Sequence, residues 1–247
     1  MKWPGRSDII VVSALIIVAY VVWYFTESDL TVYYGEEIGS LAHGVCIFSD
    51  PAYLADSGRF QKEVLAKLPP GYDFMDYVYE IKNTALSTFH RDVTSSKHIY
   101  RTRHPVYTCI LYKYDGELLS VCPGSHATYP FVTSRIVNVS GPKGTVFLFD
   151  SDLLHAGREN GCRERSVVQY KICHREDIGK LRSLEGIRAY KDETCRIGWD
   201  ARVLRKLSYY FEFPVNYWLY PFMTRKEPES TWTGAIQRMI PLQFYNN

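Results

Sequence analysis

Two short segments hold the residues best suited to chemistry. Phe89-His90-Arg91-Asp92 sets an imidazole and a carboxylate two residues apart. On an extended strand, residues i and i+2 point to the same face. His90 and Asp92 can therefore reach one ion from one strand. The segment from Leu154 to Arg165 adds a second imidazole, His155, and ends on a fixed cation, Arg165. A guanidinium can clamp a carboxylate bidentately. Two imidazoles and one carboxylate on one face of an ion suit ferrous iron and leave its remaining positions open for a co-substrate and dioxygen.

His-x-Asp by itself is a weak signal, expected by chance in roughly one chain in three of this length. The frame around it sharpens it. Lys143 to Asp150 reads as a turn followed by a buried strand, which delivers His155 at its end. Arg165 opens another apolar-rich strand, Ser166 to Ile172. Upstream, Val121-Cys122-Pro123-Gly124-Ser125-His126 closes a strand with a turn.

His90-x-Asp92, the Pro123-Gly124-Ser125-His126 turn, Gly144 to Asp150, His155-Ala156-Gly157 with Asn160, and Arg165 together resemble the phytanoyl-CoA dioxygenase family, within the wider Fe(II)/2-oxoglutarate-dependent dioxygenases. The likeness runs from about Ala85 to Ile172. The gap from His90 to His155 departs from it, being nearer that of the prolyl-hydroxylase-like branch, and that branch usually has a Lys where Arg165 stands. The resemblance implies a double-stranded β-helix with Fe(II) on His90, Asp92 and His155. It implies 2-oxoglutarate as co-substrate, its far carboxylate on Arg165, with ascorbate as an accessory reductant. Substrate is not carried over: a small molecule, a lipid or a peptide all fit. Arg163, two residues before Arg165 on the same strand face, is the alternative co-substrate cation. His126 and His174 read as hydrogen-bonded core histidines.

The chain of 247 residues is 46% hydrophobic and 15% aromatic, enough for one sizeable core. A net charge of +2 and the lack of a basic run interleaved with aromatics give no reason to expect a nucleic-acid partner. Ile9 to Phe25 contains no charged residue, a length at the lower limit for crossing hydrocarbon, and Trp23 and Tyr24 sit where an interfacial belt would lie. This predicts a transmembrane anchor; a cleaved signal peptide and a buried soluble helix are the alternatives. Lys2 and Arg6 precede the run, whereas Glu27, Asp29, Glu36 and Glu37 follow it. The expected orientation is a cytosolic N-terminus, with the domain extracytoplasmic, lumenal or at a virion membrane. The sequon Asn138-Val139-Ser140 and six cysteines, an even number, agree with that side.

The chain thus divides into a tail (1–8), an anchor (9–25), a linker (26–40), a jelly-roll domain (41–175) and a C-terminal extension packing on it (176–247). Asp56 or Ser57 is expected to cap a helix over Gly58–Leu68, ended by Pro69-Pro70-Gly71. Asp115-Gly116 predicts a two-residue hairpin between Tyr107–Tyr114 and Glu117–Cys122. That register would put Cys109 opposite Cys122, either as a cross-strand disulfide or as two buried thiols. The aromatic tract Tyr209 to Phe222, broken by Pro214 and Pro221, reads as a strap over the barrel or as a patch for a membrane or protein partner. Two functions follow from this reading. One is a membrane-anchored oxygenase. The other is a non-catalytic structural or assembly protein on the same scaffold.

Overall fold

The computed structural model describes residues 11–18, 32–34, 39–83, 87–92, 100–128, 136–158, 165–192 and 199–211. They fall into two units, Met1–Thr31 and Val32–Asn247. In the first, residues 11–18 form an exposed helix, α1. Among the described residues no helix is long and apolar enough to cross a membrane. The rest of the expected span over 9–25 lies outside the described residues.

The second unit runs β1 (Val32–Tyr34), β2 (Val45–Ser49), α2 (Ser57–Ala66), β3 (Tyr72–Lys82), β4 (Tyr107–Tyr112), β5 (Gly116–Val121), β6 (Val137–Gly141), β7 (Thr145–Asp150), β8 (His155–Gly157), β9 (Ser166–His174), β10 (Ile187–Asp192) and α3 (Trp199–Tyr210). Four strands form one sheet, in the order β1-β6-β5-β8. Six form the other, in the order β10-β3-β9-β4-β7-β2. The architecture is mainly β and jelly-roll-like.

Strand alternation explains why β4 and β7 are buried along their whole length. Ile110, Tyr112, Phe147 and Phe149 point into a core shared with Leu118, Leu119 and Val121 of the smaller sheet. Their neighbours Cys109, Leu111, Val146 and Leu148 point the other way and are covered by Phe60 and Val64 of α2. The central strands thus have two dry faces, which accounts for their unbroken apolar runs. The Asp56 carboxylate accepts the Arg59 amide at 2.9 Å and starts α2. Gly144 has φ +86° and lies so close to the Asp50 carbonyl that a Cβ would collide with it, so the predicted turn requires glycine there.

Three expectations are corrected. β4 and β5 do not form a hairpin. β4 pairs with β7 and β9, and β5 pairs with β6 and β8. The Asp115-Gly116 reversal carries the chain from one sheet to the other, because both edges of β4 are already occupied. Cys109 and Cys122 therefore lie in separate core clusters, as buried free thiols. The sequon asparagine, Asn138, is 1% exposed within β6, and its amide oxygen accepts the Ser120 hydroxyl. It is closed to a glycan in this fold, which removes one argument for an extracytoplasmic domain.

The C-terminal extension also supplies structure to the sheet itself, since β10 pairs in parallel with β3 along its edge. Of the aromatic tract, only residues 209–211 are among those described, and the Tyr209 ring packs on Phe89.

Candidate metal centre

His90 and His155 meet through their backbones. The His90 amide donates to the His155 carbonyl at 2.9 Å, and the His155 amide donates to the His90 carbonyl at 3.0 Å. Such a pair puts both side chains on one face, and Asp92, two residues on, joins them there. The Asp92 amide is fixed in turn by the Ser151 carbonyl at 3.0 Å. Arg91 points the opposite way, and its guanidinium donates to the Ser125 and Asp152 carbonyls. The Ser125 hydroxyl accepts the Leu154 amide at 2.9 Å. The Pro123-Gly124-Ser125-His126 turn is therefore a buttress tying together the two segments that carry the histidines.

Both ring tautomers follow from carbonyl partners, which can only accept. His90 Nδ1 lies 2.8 Å from the Thr88 carbonyl, and His155 Nδ1 lies 3.0 Å from that of Leu153. Each Nδ1 must donate, leaving the Nε2 lone pairs outward. Both Nε2 atoms face the same carboxylate oxygen, Asp92 Oδ1, at 3.9 Å for His90 and 3.6 Å for His155. Donors bonded to one ion at about 2.1 Å lie about 3.0 to 3.4 Å apart, so the His90 nitrogen must close on Asp92 Oδ1 by about 0.5 to 0.9 Å and the His155 nitrogen by about 0.2 to 0.6 Å. Burial, aided by His90, pushes the His155 imidazole down to about 4, and burial likewise lowers His90. Near neutral pH both rings are uncharged.

The other oxygen of Asp92 is already engaged. Lys171, with 0% side-chain exposure, places Nζ 2.6 Å from Oδ2 and 2.7 Å from the Thr108 hydroxyl, which itself donates to Oδ2. Burial alone would push the Asp92 carboxyl up. The Lys171 ammonium, joined in acid by the two imidazoles once they are protonated, outweighs it and holds the group well below the usual carboxylate range. Lys171 and Thr108 are direct partners across the β4–β9 ladder.

Arg165 is also buried, beside Gly157 of β8. A Cβ at Gly157 would lie 2.8 and 2.9 Å from the two terminal guanidinium nitrogens. The guanidinium therefore fills the space of the missing side chain, on the strand face that His155 shares. Two residues of strand separate them by about 7 Å. The Tyr112 hydroxyl of the larger sheet donates to the Leu118 carbonyl at 3.2 Å, and burial pushes its pKa up while the nearby Arg165 charge opposes that rise. Arg163, the alternative, lies outside the described residues.

His126 and His174 do not join the triad. His126 packs against Gly44, and His174 stacks on His104 with ring centroids 3.8 Å apart and planes at 30°. Glu176 lies near this second pair. His104 Nδ1 is already bonded to Asp177 Oδ2 at 3.1 Å and His174 Nδ1 accepts the Glu176 amide at 3.4 Å, so rings stacked in this way make a poor ligand set.

The sequence reading missed Lys171, Thr108 and Arg205. Lys171 was legible, because it falls on the same strand parity as Arg165. Arg205 belongs to α3 and donates to the Ser87 and Gly157 carbonyls at 2.6 and 2.7 Å. No local pattern signals that long-range placement.

No known family profile and no curated protein match the chain. Among solved structures it is similar to EvdMO1, with 14% identity and a TM-score of 0.38 over 70% of this chain and 45% of that one. It is similar to SnoN, a non-haem alpha-ketoglutarate-dependent epimerase from nogalamycin biosynthesis, with 14% identity and a TM-score of 0.38 over 65% of this chain and 72% of that one. HygX from Streptomyces hygroscopicus, solved with nickel and 2-oxoglutarate bound, gives 17% identity and a TM-score of 0.38 over 52% of this chain and 72% of that one. The chain spans about half the length of EvdMO1 and of ThoJ, a non-haem monooxygenase. Likenesses this distant leave the functional argument to the site itself.

Proposed function

We propose that the protein is an Fe(II)/2-oxoglutarate-dependent oxygenase with His90, Asp92 and His155 as metal ligands and Arg165 as the co-substrate cation. One observation supports this above all. Three acceptor atoms, two imidazole Nε2 lone pairs and Asp92 Oδ1, converge on one point. Facing acceptors repel unless a cation lies among them. Two imidazole nitrogens and a carboxylate oxygen are the donor set that holds Fe(II) while leaving positions open.

His90, Asp92 and His155 would hold Fe(II), which would supply oxidation of a substrate C–H bond to an alcohol as 2-oxoglutarate and dioxygen become succinate and carbon dioxide, one dioxygen atom ending in succinate and the other in the alcohol. The chain's own residues bind and orient. The Thr88 and Leu153 carbonyls hold the imidazoles in the ligating tautomer. Lys171 and Thr108 fix the carboxylate. Arg165, backed by Tyr112, offers a dicarboxylate's far end a buried partner. The apolar core around Phe149, whose ring lies 4.5 Å from that of His155, keeps water from that side. The substrate proposed is a small molecule, lipid or peptide. Membrane attachment through residues 9–25 with a cytosolic N-terminus belongs to the proposal, supported by the uncharged run and by Lys2 and Arg6 before it.

A second reading, a non-catalytic protein on this scaffold, is favoured by one feature. Lys171 already neutralises Asp92, so the site is satisfied in charge without an ion. Burial of Asp92 is therefore not by itself evidence for an ion. The test is succinate formation by the chain with Fe(II), 2-oxoglutarate and ascorbate. Turnover that disappears in Asp92→Ala is expected. Undiminished turnover in that variant would overturn the assignment, and a metal-loaded chain that makes no succinate would favour the second reading.

A further inference from the structure

The feature that metal ligation leaves unexplained is Lys171. A lysine with no solvent exposure, bonded to a metal ligand, adds a positive charge where a cation must bind. Burying it is costly unless it is paired and hydrogen-bonded, and here it is both. Its ammonium donates to Asp92 Oδ2 at 2.6 Å and to the Thr108 hydroxyl at 2.7 Å, and it lies 5.9 Å from the Tyr77 ring centroid. The bonds on Asp92 are segregated by oxygen: Lys171, Thr108 and Gln169 all lie on Oδ2, and both imidazoles face Oδ1.

We propose that Lys171 is a built-in counter-ion of the triad, holding Asp92 Oδ2 so that the site stays formed without metal and a divalent cation meets Asp92 through Oδ1 alone. This rests on reading the triad as a metal site. Asp92 and Lys171 cancel in charge and the imidazoles are neutral, so a divalent ion leaves the centre with a surplus of two positive charges. That surplus matches a dicarboxylate ligand. Lys171 thus trades cation affinity for a preformed, anion-receptive centre, and it is a positioning residue rather than a group that touches the reacting atoms.

The test compares the wild-type chain, Lys171→Met and the double variant Asp92→Asn/Lys171→Met by thermal unfolding without metal and by Mn(II) binding, read from the free-ion magnetic resonance signal. Metal-free Lys171→Met is expected to unfold about 10 °C below wild type, because one member of a buried pair is left alone. Saturating Mn(II) is expected to recover most of that loss, and Lys171→Met to bind Mn(II) at least tenfold more tightly than wild type, a repelling charge having gone. The double variant, with neither charge, is expected to regain stability over the single one. If Lys171→Met is so unstable that it cannot be purified, a double variant equally unstable overturns the proposal, since lost packing then explains the loss. Wild-type Mn(II) binding together with unchanged stability and affinity in Lys171→Met also overturns it. Absence of Mn(II) binding by wild type instead defeats the metal-site reading, while the metal-free unfolding still reports on the Lys171–Asp92 pair.

Discussion

At Gly157 the absence of a side chain is what matters. Its amide is bonded by the Ser87 hydroxyl, its carbonyl by Arg205, and the space a Cβ would take is filled by Arg165. A methyl group there is too close to the guanidinium to be accommodated without displacing it. Gly157→Ala is therefore expected to weaken 2-oxoglutarate binding to the metal-loaded chain at least tenfold, about 1.4 kcal/mol, with Mn(II) affinity unchanged. Calorimetric titration checks this, and an unaltered 2-oxoglutarate affinity would remove Arg165 from its assigned role. The residue scale is also where the sequence was most legible. His90 and Asp92 share a face as strand periodicity implies, and His155, which the family resemblance sets beside them, lies near both. Lys171 was readable by the same rule and was missed, because a lysine in an apolar strand is ordinarily taken to face solvent. Arg165, just before β9, and Val167, Gln169 and Lys171 within it fall on one parity, so a cation at one end of that row should have prompted a look at the other.

Elements place these residues through contacts that local sequence does not encode. The segment carrying His90 and Asp92 is short; among the described residues it bridges β8 at His155 and bonds the Ser151 carbonyl through the Asp92 amide. α3 pins it from outside. The Ser208 hydroxyl accepts the Phe89 amide at 2.8 Å, Arg205 bonds the Ser87 and Gly157 carbonyls and the Ser120 hydroxyl, and its guanidinium lies 4.6 Å from the Phe89 ring centroid. Arg205→Met leaves those carbonyls without their charged donor, at a cost of about 1 to 3 kcal/mol. Hydrogen exchange should then show faster exchange at the His90 and His155 amides, and an unchanged rate at both would show that α3 does not hold the site. Turn chemistry was similarly half legible. Asp115-Gly116 does reverse the chain, but a turn signal does not say which sheet receives the next strand. With β7 and β9 flanking β4, the reversal had to lead to the other sheet, and the Cys109–Cys122 register failed for that reason.

For the whole molecule, two sheets close on one core, and the candidate centre lies where β4, β8 and β9 meet the His90–Asp92 segment. Apolar runs, turn residues and the helix cap made the mainly β architecture readable from sequence. The edge strand β10 was not, because only Ile187 of the stretch is buried, and Arg188, Lys191 and Asp192 leave it without an apolar pattern. Both functional readings share this architecture, and the oxygenase reading requires that the centre take up an ion. The most direct measurement is metal stoichiometry: equilibrium dialysis of Fe(II) under anaerobic conditions against the wild-type chain and His155→Ala. One ion per wild-type chain, lost in the folded variant, is the predicted result. Equal Fe(II) uptake by both, or none by the wild type, would contradict it.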